Sequence, residues 1–280
     1  MDTPSESPVS NALQWSGRTD RGKVRPNNED SFVGLRFDAR EVHYLGAVGQ
    51  APSGHLDYAF AVSDGMGGAM AGEHASRIAV EKLTKLLPRS YRQSAAGLAA
   101  GFPDVLEELF THVHGALMQL GRSYEECAGM EATLSLCWLT PGWMYFGHIG
   151  DSRIYYLPAS GGGLRQITQD DTYVGWLFRN GKLNEREARS HPRRNLLQKA
   201  LGGTNQFVSP QVGAVGYESG DTFLLCTDGL IEGLYDAQLE ELLRSPESSE
   251  RSSTLAHRLV EESLANSGRD NTTALVIRVG

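Results

Sequence analysis

Five aspartates stand out by where they fall. Asp64 follows the apolar run YAFAVS and precedes Gly65. Asp151 follows MYFGHIG, Asp228 follows TFLLCT with Gly229 next, and Asp270 sits in GRDNTT just before the last apolar run. Asp30, with Glu29 beside it, precedes the first run. Taken singly, an Asp-Gly step after a strand is ordinary turn chemistry, because Asp tolerates tight turns and Gly supplies positive φ. Taken together, the five predict strand ends that meet at one rim. Unpaired carboxylates gathered there would suppress one another's ionisation, and a bound divalent cation removes the conflict. Oxygen donors without a Cys/His cluster favour Mg²⁺ or Mn²⁺ over zinc. An EF-hand is excluded, since no D-x-[DN]-x-[DN]-G loop is present.

Rival chemistries lack their residues. There is no G-x-S-x-G elbow, no G-x-x-x-x-G-K-[ST] phosphate loop and no H-E-x-x-H. The glycines of DGMGG (64–68) do not have dinucleotide-fingerprint spacing. They suggest instead that backbone comes close to something bound.

The elements that must position these residues are legible as patterns. Strand-like runs occupy 31–37, 58–63, 133–139, 143–149, 153–157, 222–226 and 273–279, with a hairpin at Thr140-Pro141-Gly142. Ala75, Ile78, Ala79, Leu83 and Leu86 recur at helical spacing, as do Val105, Leu106, Leu109, Phe110, Val113, Leu117 and Leu120. A third helix is expected to carry Leu255, Leu259 and Leu264. Two helices followed by a block of strands break the alternation of a parallel α/β sheet. That order predicts antiparallel sheets with helices stacked outside them.

The 280 residues carry 26 basic and 34 acidic side chains, a formal charge of −8, with 40% hydrophobic residues. Such a chain buries a core without staples, and its acidity argues against coating nucleic acid or an anionic membrane. Cys127, Cys137 and Cys226 lack C-x-x-C spacing and are expected as buried thiols in a reducing cytosol. The N-terminus has no basic start or apolar run, so no signal peptide is expected. The stretch 132–149 is interrupted by Pro141-Gly142 and falls short of a membrane span. Residues 1–12 are expected as a flexible tail and 13–280 as a single domain, with Gly161-Gly162-Gly163 as a turn.

The segments GKVRPNNEDSF (22–32), AVSDGMGG (61–68), HIGDSRIYYL (148–157), LLQKALGG (196–203), LLCTDGL (224–230) and SGRDNTTALVI (267–277) occur in that order. Together they resemble the bacterial branch of the metal-dependent (type 2C, PPM) protein serine/threonine phosphatases, over nearly the whole chain. The resemblance implies an α+β fold, a central β-sandwich of two antiparallel sheets flanked by helix pairs in four α-β-β-α layers. It implies hydrolysis of phosphoserine and phosphothreonine by a metal-activated water. Asp64 would bridge two Mg²⁺ or Mn²⁺ ions, the Gly65 carbonyl would bind one, and Asp228 and Asp270 would complete the pair. Glu29 would support the cluster, mostly through water, and Asp30 would orient the attacking water. Asp151 with Asp228 resembles a third-metal site, and Arg25 matches the arginine that grips the substrate phosphate. The partners implied are phosphorylated proteins, targets of a bacterial serine/threonine kinase; the protein is expected as a cytoplasmic monomer that binds neither nucleic acid nor membrane. Two alternatives stand beside this: a pseudophosphatase binding module, and a phosphatase acting on a sigma-factor regulator.

Some positions depart from the family pattern. Met66 stands where eukaryotic members often have a histidine proposed as general acid, Glu131-Ala132 replaces Gly-Thr, and Asp171 stands where His is frequent. His148 and His74, near in motif terms, are expected to have solvent or packing roles. Residues 171–199 would form a mobile flap beside the cleft. They carry seven basic side chains (Arg179, Lys182, Arg186, Arg189, Arg193, Arg194, Lys199) against three acidic ones. This excess is either a solvated face or a cationic rim that steers phosphorylated segments toward the metals.

Overall fold

The apolar runs lack a polar face because both of their faces are covered. This is clearest in a strand such as Tyr58–Val62, where alternate residues enter different cores. Tyr58, Phe60 and Val62 lie in one cluster and Ala59 and Ala61 in another. The computed structural model describes residues 12–38, 41–52, 56–67, 71–95, 101–204, 207–245 and 254–280. The expected tail lies outside them, save for its last residue.

That residue opens β1 (Ala12–Asp20), a strand absent from the sequence expectation, which began its strands at 31. Then follow β2 (Asp30–Phe37), β3 (Val42–Tyr44), β4 (Val48–Pro52) and β5 (Asp57–Met66). Two long helices, α1 (Ala71–Ala95) and α2 (Phe102–Ser123), come next. Beyond them lie β6 (Glu131–Ala132), β7 (Leu134–Thr140), β8 (Trp143–Ile149), β9 (Arg153–Leu157) and β10 (Arg165–Gln166). The segment α3 (Tyr173–Arg179) and α4 (Glu185–Ser190) leads to β11 (Leu201–Gly202), β12 (Gln211–Gly216) and β13 (Thr222–Cys226). The chain closes with α5 (Asp228–Gly233), α6 (Asp236–Arg244), α7 (Leu255–Asn266) and β14 (Thr272–Val279).

Two antiparallel sheets result. One has the order β10-β9-β13-β14-β1-β4, and the other β11-β6-β5-β7-β8-β12, with β2 joined to β5 and β3 to β2. The sandwich interior is filled by Leu13, Trp15, Phe60, Phe146, Phe223, Leu275 and Ile277. On one outer face, Ala75, Ala79 and Leu83 of α1 pack on β2 and β5, and α2 lies over β8, β11 and β12, its Leu106, Phe110 and Val113 in the same core cluster. On the other, Leu239 and Leu243 of α6 and Leu255 and Leu259 of α7 pack on Leu224 and Val276. Four layers, α-β-β-α, are the outcome, as expected. The β7–β8 hairpin turns on Pro141-Gly142, where Gly142 takes φ +78° as a two-residue turn requires. Cys127, Cys137 and Cys226 are buried free thiols.

Candidate active site

The register of the central strands brings the carboxylates together. Asp30 stands directly opposite Asp64 across the β2–β5 ladder. Asp30 is the first residue of β2 and Asp64 lies inside β5, which runs two residues further to pair Gly65 with Ala132 and Met66 with Glu131. Asp64 is therefore a strand residue, not the turn that its Asp-Gly step suggested. Asp228 is likewise no turn: it is the first residue of α5, after the N-cap Thr227. Asp151 follows β8 through Gly150, whose φ of +106° makes a sharp exit. Asp270 immediately precedes Asn271 and the start of β14.

A layer of uncharged groups fixes these positions. Asp30 Oδ2 accepts hydrogen bonds from Thr227 Oγ1 and Thr273 Oγ1, both at 2.7 Å. Asp64 N donates to Thr133 Oγ1 at 2.9 Å, and Thr133 N returns a bond to Asp64 O at 2.8 Å. Asn271 Oδ1 accepts from Glu29 N, while its Nδ2 donates to the carbonyls of Arg21 and Asn27. One amide thus ties the loop carrying Arg25 and Glu29 to the residue after Asp270. Reasoning from charges alone overlooked Thr133, Thr227, Thr273 and Asn271. For Thr227, Thr273 and Asn271 the signal was adjacency, since they lie within the segments 224–230 and 267–277; Thr133, at the start of the run 133–139, had none of that kind.

Gly65 is required by close approach. A Cβ there would lie 1.9 Å from the Gly72 carbonyl oxygen, and Gly65 N donates to Glu29 O at 3.1 Å. The backbone of α1's first turn leaves no room for a side chain. The glycines were expected to let backbone come close to something bound; the close approach at Gly65 is to the chain's own backbone at Gly72 and Glu29.

Electrostatics place the groups in one field. Burial, then Asp30, Asp228, Asp151 and Asp270, push the Asp64 carboxyl well above its ordinary range. Burial, then Asp151, Asp270 and Asp30, do the same to Asp228. Burial lifts Asp30 to about 7 against its two threonine bonds, and burial with Asp170 lifts Asp151 to about 7. Glu29 is raised by burial and held back by Arg25. Arg25 Nη2 donates to Asp270 Oδ2 at 2.7 Å, and this bond heads the causes that raise its own pKa. All eight predicted residues thus belong to one end of the sandwich.

Do these residues suit a cation? Among the described residues, no three Asp, Glu, His or Cys side chains are gathered tightly enough to hold an ion as they stand. The donors are nevertheless right in kind. They are carboxylates, and Asp30 Oδ1 and Asp228 Oδ1 are buried with no hydrogen-bond partner. A buried carboxylate oxygen without a partner is costly, and a hard divalent cation would satisfy it.

His148 and His74 each have contacts of their own outside the carboxylate rim. His148 is fully buried between Ser135 Oγ and the Gly150 carbonyl, and burial pushes its pKa down. His74 lies on α1, its Nδ1 3.2 Å from Arg77 Nη2. Asp171 touches no other site carboxylate in any hydrogen bond or ion pair. Its N donates to Gly150 O at 2.7 Å, its Oδ2 accepts from Gly150 N at 3.2 Å, and Lys199 Nζ lies 3.6 Å from Oδ1. It fastens the root of 171–199 to the Asp151 turn.

The seven cations of 171–199 are mostly spoken for. Arg189 donates to the carbonyls of Ile231 and Leu234, stacks 3.9 Å over the Tyr235 ring and pairs with Glu185. Arg194 pairs with Glu232 at 2.7 Å, Arg179 donates to Asp170 O, and Lys182 sits over Trp176. Only the guanidinium groups of Arg186 and Arg193 have no partner among the described residues. Of the two readings of this basic excess, a solvated face and a cationic rim, the second is left with these two side chains.

Comparison with known proteins agrees with this geometry. Residues 48–267 match the family described as Protein phosphatase 2C. The chain is similar to the serine/threonine protein phosphatase PstP of Mycobacterium tuberculosis, 35% identical over 275 residues, which cover 97% of this chain and 46% of that protein. It thus spans about half the length of that relative. It is 31% identical over 261 residues to the serine/threonine phosphatase stp of Listeria innocua, covering 93% of each. Its fold superposes with a TM-score of 0.72 on the catalytic domain of PstP in complex with two manganese ions, at 32% identity, over 96% of this chain and 98% of that one. On the sandwich, the carboxylate rim and these matches, the chain belongs to the protein phosphatase 2C family.

Proposed function

We propose that this chain hydrolyses phosphoserine and phosphothreonine in proteins at a centre of Mg²⁺ or Mn²⁺ ions, with water as the nucleophile. The observation that carries the reading is the convergence of Asp30, Asp64, Asp151, Asp228 and Asp270 on one rim with Arg25 at its mouth. Asp64, Asp228, Asp270 and the Gly65 carbonyl would hold two ions, Glu29 would support them, and Asp151 with Asp228 would hold a third. When bound, the ions lower the pKa of water and clamp phosphoryl oxygens.

The chain's own residues do the rest. Arg25 is half-exposed and offers a planar fork matched to a phosphate, so it binds and orients the substrate. Asp30, with Oδ2 held by two threonines, has Oδ1 left to accept a hydrogen bond from the attacking water and to take its proton. Pinning one oxygen fixes the direction of the other, and that is the orientation a general base needs. Phosphoryl transfer is chiefly a matter of position and charge, so no Ser or Cys nucleophile is required.

Substrates are inferred to be phosphoproteins made by a bacterial serine/threonine kinase, and the chain is inferred to act as a cytoplasmic monomer. Three buried free thiols suit a reducing compartment. The intact carboxylate set speaks against a pseudophosphatase. The test is direct: metal-stripped protein should not hydrolyse p-nitrophenyl phosphate or a phosphothreonine peptide, and Mn²⁺ or Mg²⁺ should restore both activities. Full activity in EDTA would sink the reading.

A further inference from the structure

A cleft of about 670 Å³ runs from Asp151 and Asp228 outward between the α3–α4 segment and the far end of α5. Its size is that of sites for sizeable organic ligands, roughly 300–1,000 Å³, and exceeds what one phosphorylated side chain needs. The walls are of two kinds. Val174, Phe178 and Ile231 give apolar surface, and Phe178 is half-exposed. The remainder is charged, and most of that charge is internally matched. Arg153 holds Asp170 at 2.7 Å, Arg194 holds Glu232 at 2.7 Å, and Arg189 holds Glu185 at 3.2 Å. Asp236 accepts from Tyr155 OH.

Subtracting these leaves Arg186, on α4, and Arg269, in the loop between α7 and β14. Both are exposed, both line the cleft, and neither guanidinium has a partner among the described residues. They stand 83 residues apart in the chain, so local helix electrostatics does not account for both lining one cleft. Arg269 also precedes Asp270 in the chain, and it lines the same cleft as Asp151 and Asp228 of the rim. Apart from Asp151 and Asp228 at the metal end, the lining holds five arginines against four carboxylates, a small local excess of positive charge in a chain of formal charge −8.

We propose that this cleft is a subsite for the polypeptide flanking the phosphorylated residue, and that Arg186 and Arg269 select an acidic residue there. The proposal rests on the phosphoprotein phosphatase reading and adds to it the class of sequence preferred. A carboxylate on the substrate finds two guanidinium groups without a carboxylate partner, whereas a lysine beside them meets like charge; outside the metal end, Asp236, bonded by the neutral Tyr155 hydroxyl, is the lining carboxylate without a cation among the described residues. The discrimination is electrostatic at a half-solvated site, so it falls as salt rises.

Three phosphothreonine peptides that differ only in having Glu, Gln or Lys flanking the phosphorylated residue test it, each also made as a non-hydrolysable phosphonate. With Mn²⁺ present, anisotropy of the labelled phosphonates reads binding, and phosphate release from the others reads hydrolysis. The Glu peptide should exceed the Lys peptide by about tenfold or more in both affinity and kcat/KM at low salt. Arg186→Glu and Arg269→Glu should each shrink that ratio, and the double variant should invert it. Equal ratios in the unaltered chain, or ratios that neither variant moves, overturn the subsite. Charge-selective binding without any hydrolysis would uphold the subsite and overturn the phosphatase reading, whereas hydrolysis without charge selection would do the reverse.

Discussion

Arg25 and Asp270 close the mouth of the site together, Nη2 to Oδ2 at 2.7 Å, although they stand 245 residues apart in the chain. The arginine comes from the loop before β2 and the aspartate from the approach to β14. Asn271 and Lys23 hold those two loops against each other, the latter donating from its backbone to Gly268 O at 2.7 Å. The side chain that would receive substrate phosphate is thus already balanced against a carboxylate of the rim. A phosphate arriving at the mouth competes with Asp270 for the same fork.

Arg25→Ala should therefore act mainly on binding. We expect KM for p-nitrophenyl phosphate to rise about tenfold, a loss of about 1.4 kcal/mol of uniform binding, with kcat little changed. Arg25→Lys should recover only part of it, because an ammonium cannot offer the bidentate geometry. If kcat alone fell, the arginine would serve the transition state and the binding role would be wrong.

Asp64→Asn should separate activity from stability. The Asp64 carboxylate is half-buried among like charges, so its neutral replacement relieves repulsion in the metal-free chain. Thermal denaturation in EDTA at pH 8 should show a Tm equal to or above that of the unaltered protein. Turnover should fall at least about 10²–10³-fold, as for loss of one preorganised electrostatic group, and Mn²⁺ should no longer raise Tm appreciably. A Tm that fell in EDTA would mean that the carboxylate is stabilising as it stands.

How far these relationships could be read beforehand depended on the physics of each element. β8, β9 and β13 lie where their apolar runs lie, because strands covered on both faces are continuous in composition. β1 was missed because ALQWSGRTD mixes polar and apolar residues at a place that looks like a terminus, and its order comes from pairing with β14 from Leu13↔Val279 to Asp20↔Thr272. α6 was missed because two buried leucines, Leu239 and Leu243, make too short a pattern. In the site, charges were legible and their supports were not. Asp30 and Asp64 announce themselves, but a threonine such as Thr227 gains its meaning only when folding puts its hydroxyl 2.7 Å from Asp30. On 171–199 the sequence left a solvated face and a cationic rim both open, because Arg189 and Arg194 count as free cations in a sequence, whereas the fold gives each a partner.

Those partners supply a prediction of their own. Arg189 joins α4 to the end of α5 through two carbonyls, a ring face and Glu185, so it is a clasp. Arg189→Ala removes a desolvated cation–π contact and two charged hydrogen bonds, interactions of about 1–3 kcal/mol each. Backbone amides over 173–195 should then exchange about tenfold faster or more, while those of β13 and β14 keep their protection. Unchanged exchange over 173–195 would show that the clasp does not hold this segment.

The carboxylate rim also fixes how the metal-free chain responds to pH. Asp30 and Asp151 are raised by burial to about 7, from an ordinary 3.8. A raised acid keeps its proton in the native state at pH values where the unfolded chain has released it. Between about pH 4 and 7 the native state thus binds more protons than the unfolded one, and stability falls as pH rises through that window. Below pH 4 both states are protonated and the contribution is constant; above 7 the whole cost of burying the charge is present. In EDTA, Tm should therefore drop between pH 5 and pH 8, by roughly 2–4 °C for each kcal/mol involved. Asp30→Asn removes one titrating group and should flatten the slope. Saturating Mn²⁺ should oppose the drop, and more so at pH 8, because a cation binds the ionised carboxylates and stabilises in proportion to RT ln(1 + [L]/Kd). A metal-free Tm that stayed level or rose from pH 5 to 8, with Asp30→Asn behaving like the unaltered chain, would mean that these carboxylates are not held in the buried, mutually repelling arrangement described.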